Sequence, residues 1–315
     1  MPRLTPSGRE DPPMSELPSI SLAAMPGRRR ATIEMAKEIE RRGFPGIYCP
    51  SMQDSLALCV AMAMATDTVR LGTSISPIYT RPVLDYAQTA AFIHEISGGR
   101  FHLGVGVSHE PAMERMGLKG GKSPLSDIRA FTEAYHDAPR TGDKAPLVLA
   151  TLRKKMIGLA GEIGDGMVFA NAARSKTPDS LTALPDSKRT DPDFYIGNMI
   201  PTCISDDIEA AKAVNRRTLT GYALLPNYRN YWKDAGYVEE MEGVEQCVAT
   251  GQLDKVPECL SDRWLADTTL FGSVDQVREG VEAWREAGIT TPILVPSSAA
   301  GNQMKAIEEI FEAFS

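Results

Sequence analysis

Three short stretches carry residue types that could do chemistry. Ser108, His109 and Glu110 close an apolar run at 101–107 and stand just before Pro111. A hydroxyl and an imidazole there could hydrogen-bond a polar ligand. His109, with a reference pKa near neutral, could also pass a proton. The plainer account is a capped loop with a solvated histidine. Thr151, Leu152, Arg153, Lys154 and Lys155 form the second stretch, between an apolar run and a helical pattern. Uncommitted N–H groups at a helix start, next to three cations, suit a phosphate. A solvated helix start is the plainer account. The third stretch, Thr73 to Pro77, ends a strand pattern in small polar residues and runs into Tyr79 and Arg81. Tyr79 could line a pocket and Arg81 could hold an anion, or both could be structural.

Repeating strand and helix patterns must position these groups. Apolar runs at 19–24, 46–49, 69–75, 101–107, 147–150, 166–170, 194–203 and 289–295 read as eight strands. Helical periodicity falls between them at 28–42, 54–66, 83–96, 125–137, 154–161, from Ser205, and at 273–287, with a last helix at 304–314. Asp54 is placed to cap the second of these. Such alternation implies a parallel sheet. Eight units in about 300 residues predict a (β/α)8 TIM barrel with insertions, whose ligands bind at the carboxyl ends of its strands. A doubly wound open sheet is the alternative, but the first strand–helix junction lacks a G-x-G-x-x-G turn. Residues 1–18 read as a flexible leader and 19–315 as one barrel domain. An irregular insertion is expected around 171–193 and a helical excursion around 218–266. The aromatic stretch 228–232 in that excursion is either a lid or a packed helix.

The bulk composition narrows the function. The chain has 315 residues, 43% hydrophobic and 24% charged, with a net charge of −7. An acidic balance argues against general nucleic-acid binding. No apolar run is long enough to span a membrane. Five scattered cysteines without a C-x-x-C pair fit a reduced, cytoplasmic protein. Four histidines without metal-ligand spacing predict no metal site.

Across much of its length the sequence resembles the luciferase-like monooxygenase superfamily of flavin-dependent barrels. The resemblance is carried by Arg70-Leu71-Gly72-Thr73, by Ile96-Ser97-Gly98-Gly99-Arg100-Phe101 and by Leu103-Gly104-Val105-Gly106-Val107-Ser108-His109. Leu159 to Gly166, Phe271 to Val277 and Glu286 to Ile289 extend it. The Gly-Val-Ser-His ending and the Leu225-Pro226-Asn227-Tyr228 sequence look most like the branch that uses coenzyme F420, a deazaflavin, with FMN as the alternative.

That resemblance implies a bulge with a non-proline cis peptide between Ser74 and Ile75, packed behind the flavin ring. It implies that Ser74, Ile75, Val107, Ser108 and His109 hold the ring and its side chain, and that Thr151, Leu152, Arg153 and Lys154 hold its anionic part. Arg153 departs from the small residue or Gly-Pro usual in relatives. Tyr48, Tyr79 and Arg81 would line the substrate pocket. Relatives place an acidic residue and a histidine where this chain has Tyr48-Cys49-Pro50-Ser51, which leaves sugar-phosphate and alcohol substrates unsupported. Pairing of relatives through the corresponding helices implies a homodimer built on 54–66 and 83–96. The expected activity is hydride transfer between F420 and a small organic molecule. An FMN-dependent monooxygenase, a non-catalytic flavin-binding protein and a barrel that has lost its cofactor are the alternatives.

Overall fold

The computed structural model describes residues 17–51, 54–121 and 123–315. The leader expected at 1–18 therefore lies, but for its last two residues, outside the described residues. Among the described residues there are ten strands: β1 Ser19–Ser21, β2 Gly46–Cys49, β3 Arg70–Thr73, β4 Ser76–Pro77, β5 Phe101–Gly106, β6 Leu147–Thr151, β7 Gly166–Ala170, β8 Tyr195–Ile204, β9 Leu270–Gly272 and β10 Thr291–Ser297. All pairings are parallel, in the order β10-β1-β2-β3-β5-β6-β7-β8. The ring closes where β10 runs alongside β8, from Thr291 opposite Gly197 to Ser297 opposite Cys203. The molecule is an eight-stranded TIM barrel.

Two short strands were not foreseen. β4 continues the line of β3 after a break at Ser74 and Ile75, pairing Ser76 with Val105. β9 lies outside the ring, against the carboxyl end of β8. Three residues are too few for periodicity to register.

Each helix forms where the sequence offers a start and an apolar stripe. Asp54 accepts a hydrogen bond from Ala57 N at 3.1 Å and opens helix Ser55–Ala65. Ser273 and Gln276 form a reciprocal capping box on helix Val274–Glu286, which buries Val277, Val281 and Trp284. Residues 171–193 are not an irregular loop. They hold a 3-10 turn, Arg174–Lys176, and helices Thr177–Leu181 and Asp186–Arg189. Helices Pro226–Asp234, Val238–Ala249, Val256–Cys259 and Asp262–Thr268 follow the longer Ile208–Ala223. They gather an apolar cluster apart from the main core, centred on Trp232 and Trp264, whose rings meet edge-on at 4.8 Å.

The Gly98-Gly99-Arg100 turn is a structural clasp. The Arg100 guanidinium donates to the carbonyls of Thr66 at 2.7 Å, Val69 at 2.6 Å and Ser97 at 2.7 Å. It thereby satisfies acceptors left open past the end of helix Ser55–Ala65. Glu40 serves the opposite polarity on the same connection, accepting from the N–H groups of Asp67, Thr68 and Val69.

Candidate functional site

At the carboxyl ends of the strands lies a cavity of about 1290 Å³. That exceeds the roughly 300–1,000 Å³ usual for one small ligand. Its floor is built by a local break in β3. The peptide between Ser74 and Ile75 is cis. Thr73, just before it, donates from Oγ1 to Gly104 O at 2.7 Å and accepts from Gly104 N at 3.0 Å, so a side chain replaces backbone ladder bonds. Glycine is required at 104, because a Cβ there would sit 1.9 Å from Thr73 O. Gly106 in turn leaves room for the Ile75 side chain, 3.1 Å from where its Cβ would be. The alternating glycines of β5 thus admit a neighbouring strand and an isoleucine.

Beyond β5, Ser108 takes a left-handed conformation with φ 60°. His109 follows at the N-cap position of helix Glu110–Arg115, with no side-chain cap bond. The half-buried His109 ring packs against Tyr228 at 5.5 Å and Tyr222 at 6.4 Å. Burial lowers its pKa and so favours the neutral imidazole, which carries one N–H donor.

On the next strand, the turn after β6 opens helix Lys154–Ile163 with Arg153 at the cap position and no side-chain cap bond. The first N–H groups of that helix and its positive end face this turn. Thr151 is 5% exposed, and its hydroxyl has no hydrogen-bond partner among the described residues. Arg153 pairs with Asp234 at 3.1 Å, and Lys154 with Asp179 at 2.7 Å.

Ser74, Ile75, Val107, Ser108, His109, Thr151, Leu152, Arg153 and Lys154 all line this one cavity. Tyr48, Tyr79 and Arg81 do not. Gly46 and Gly72 leave space inside the barrel, and the Tyr48 ring fills it, tilted against Tyr195 at 5.5 Å. Burial there pushes the Tyr48 phenol up to about 12. Tyr79 donates to Asp127 at 2.8 Å and so ties its turn to helix Pro124–Asp137. Arg81 is held by Asp54 at 3.0 Å and Asp85 at 3.4 Å.

Sequence reasoning missed most of the opposite wall. Tyr222, Leu225, Tyr228 and Tyr231 supply an apolar side, and Lys176, Asp179 and Asp234 a charged rim. Tyr231 accepts a bond from Ala173 N at 3.0 Å, and the Trp232 indole donates to Asn171 O at 3.2 Å. The aromatic stretch is thus a cavity wall and a packed helix at once. A signal for Asp179 did exist: Thr177-Pro178-Asp179 has the proline and acid of a helix first turn.

Among the described residues no cluster of three or more His, Cys, Asp or Glu could hold a metal ion. No described helix is long and apolar enough to cross a membrane. The cysteines are free thiols, with Cys49 buried against Cys59.

A Mycobacterium tuberculosis protein whose name assigns it provisionally to the coenzyme F420-dependent oxidoreductases is 25% identical, over 84% of this chain and 90% of its own length. The coenzyme F420-dependent tetrahydromethanopterin reductase of Methanopyrus kandleri superposes with a TM-score of 0.75 at 18% identity, covering 94% of this chain and 98% of that one. An F420-dependent secondary alcohol dehydrogenase solved with an F420–acetone adduct gives a TM-score of 0.70 at 16% identity, covering 94% of this chain and 98% of that one. Both structures share the barrel. The model of the luciferase-like monooxygenase family matches residues 14–291, which takes in every strand but the last six residues of β10, and on that match the chain belongs to the luciferase-like monooxygenase family.

Proposed function

We propose that this protein is an oxidoreductase that binds coenzyme F420 in the cavity and exchanges a hydride between it and a small organic substrate. The observation that carries the reading is the joining of two unlike surfaces in one cavity. An apolar pad of Ile75 and Val107 sits on the cis-peptide floor, and a basic helix start at 151–155 sits beside it. That pairing fits a planar ring bearing an anionic chain. The unpartnered Thr151 hydroxyl and the cations of Arg153, Lys154 and Lys155 supply donors for such a chain. The name of one relative, and those of two proteins that share the barrel, include F420, which adds support.

When bound, the deazaflavin supplies the two-electron chemistry; the protein supplies binding and orientation. Ile75 and Val107 would hold the ring through apolar contact. Ser74 and Ser108 offer polar contacts at its edge. The neutral His109 donates one N–H, and Tyr222 and Tyr228 hold its ring in place. The side chains of the apolar wall keep water from the substrate side. The substrate is a small organic molecule for which the missing acid and histidine at 48–51 are not needed.

We further read the helices Ser55–Ala65 and Val83–Ile96 as a homodimer face. Met64 is 73% exposed and Phe92 53%, an unusual amount of apolar surface for neighbouring helices.

Titration of the purified protein with F420 and with FMN tests the reading. The expected result is micromolar or tighter F420 binding and at least tenfold weaker FMN binding. The opposite order would move the protein to the FMN-dependent monooxygenases. Tight F420 binding with no hydride transfer to any acceptor tested would leave a non-catalytic binding protein, and no binding of either cofactor would leave a barrel without one.

A further inference from the structure

Of the cavity's cations, Arg153, Lys154 and Lys176 already have carboxylate partners, while Lys155 has none among the described residues. Arg153 Nη2 donates to Asp234 Oδ2 at 3.1 Å. Lys154 and Lys176 hold the two oxygens of Asp179 at 2.7 and 2.8 Å. All five residues line the cavity. An anion drawn to Arg153, Lys154 or Lys176 must therefore displace a resident carboxylate or lie against one.

The two carboxylates are not held equally. Asp179 has two lysines, which bring its carboxyl down to about 2. Asp234 has one longer bond, and the side chains of that pair are 57% and 52% exposed. Nor does the helix Pro226–Asp234 depend on it. That helix is anchored by the buried Tyr228, Tyr231 and Trp232, and by Lys233 and Arg229 paired with Glu245. Asp234 brings charge to the mouth of the cavity and little to the fold. Close by, the buried Thr151 hydroxyl has no hydrogen-bond partner among the described residues and can donate to a ligand oxygen.

We propose that Asp234 is a specificity-determining residue that competes with the anionic group of the ligand, a phosphodiester or carboxylate, for the guanidinium of Arg153. This rests on the reading of the cavity as a site for an anionic deazaflavin. Binding frees Arg153 from Asp234 and transfers it to the ligand. The wild-type protein therefore binds anions more weakly than its cations alone would allow, and it favours ligands with enough charge to win the exchange.

An exposed ion pair of this kind is weak, so freeing Arg153 from it tightens anion binding by about threefold. The full-length wild type, Asp234→Asn, Arg153→Ala and the double variant are titrated with F420, with the deazaflavin that lacks the phosphate and glutamyl chain, and with inorganic pyrophosphate. Expected for Asp234→Asn is about threefold tighter binding of F420 and pyrophosphate and unchanged binding of the uncharged deazaflavin. The gain vanishes in the Arg153→Ala background. A gain that survives without Arg153, an equal change for charged and uncharged ligands, or no gain overturns the proposal. Failure of the wild type to bind either deazaflavin overturns the cofactor reading instead, and the pyrophosphate titrations then decide the role of Asp234 alone. Absence of pyrophosphate binding in all four proteins would also overturn it.

Discussion

The hydroxyl of Thr73 clasps both backbone groups of Gly104, donating to its carbonyl at 2.7 Å and accepting from its N–H at 3.0 Å. One side chain thereby lets β3 leave the ladder and present Ser74 and Ile75 to the cavity, without orphaning the groups it abandons. Thr73→Val keeps the shape and removes both bonds. It should destabilise the protein by about 1–3 kcal/mol, the cost of a buried polar group left unpaired. Gly104→Ala should cost as much or more through overpacking, since its Cβ would meet Thr73 O at 1.9 Å. Chemical denaturation measures both, and wild-type stability in either variant would refute this account of the floor.

Arg100 makes its bonds far from the cavity. Arg100→Ala should lower stability by about 2–3 kcal/mol, as charge-assisted bonds to part-buried carbonyls are lost. Ligand affinity of the folded fraction should stay within about twofold. A selective loss of binding with an unchanged melting curve would mean that the motif serves the site directly.

His102 points into the barrel beside Tyr195, and its pKa falls from 6.5 to about 4 through burial, with the charges of Arg70 and His94 adding to it. A histidine with a depressed folded pKa stabilises the fold above its unfolded value. That contribution is lost as pH falls through the folded value. Between pH 6.5 and 4 the loss should reach up to about 3 kcal/mol. Denaturation midpoints across that range should fall steeply in the wild type. They should fall less in His102→Gln, and parallel slopes would exclude His102 as the source.

His109→Gln keeps an N–H donor but cannot carry a proton at neutral pH. If His109 only orients ligand, turnover should stay within about tenfold of wild type. A proton-transfer role would cost about 10²–10⁴-fold. Expected is the smaller loss, because burial disfavours the protonated imidazole through which either direction of such a transfer must pass. Steady-state kinetics over pH 6–8 distinguish the two.

Met64→Glu combined with Phe92→Glu places charge on the proposed pairing face. Sedimentation should show a dimer for the wild type and a monomer for the double variant, with melting of the isolated barrel little changed. A wild-type monomer would end the dimer reading.

The eight barrel strands were legible because parallel strands buried on both faces leave apolar runs between helical stripes. The cavity floor was legible for a related reason: Thr73 to Ile75 and Gly104 to His109 are contiguous in sequence and occur at strand ends. The opposite wall was not. Tyr222, Tyr228 and Asp234 reach the cavity only because the helical excursion folds back over β7, and periodicity carries no information about that return. Tyr48 was misplaced for the converse reason. Its strand register faces the barrel axis, but glycines at 46 and 72 let the ring lie flat inside the barrel instead of rising into the cavity.

The separate apolar cluster around Trp232 and Trp264 divides the labour of change. Floor and anion turn are fixed by strand ends and cannot drift without cost to the barrel. The opposite wall is held by its own packing and joins the barrel through bonds such as those to Asn171 and Ala173. Descendants of such a protein can therefore exchange what they accept while keeping what they carry.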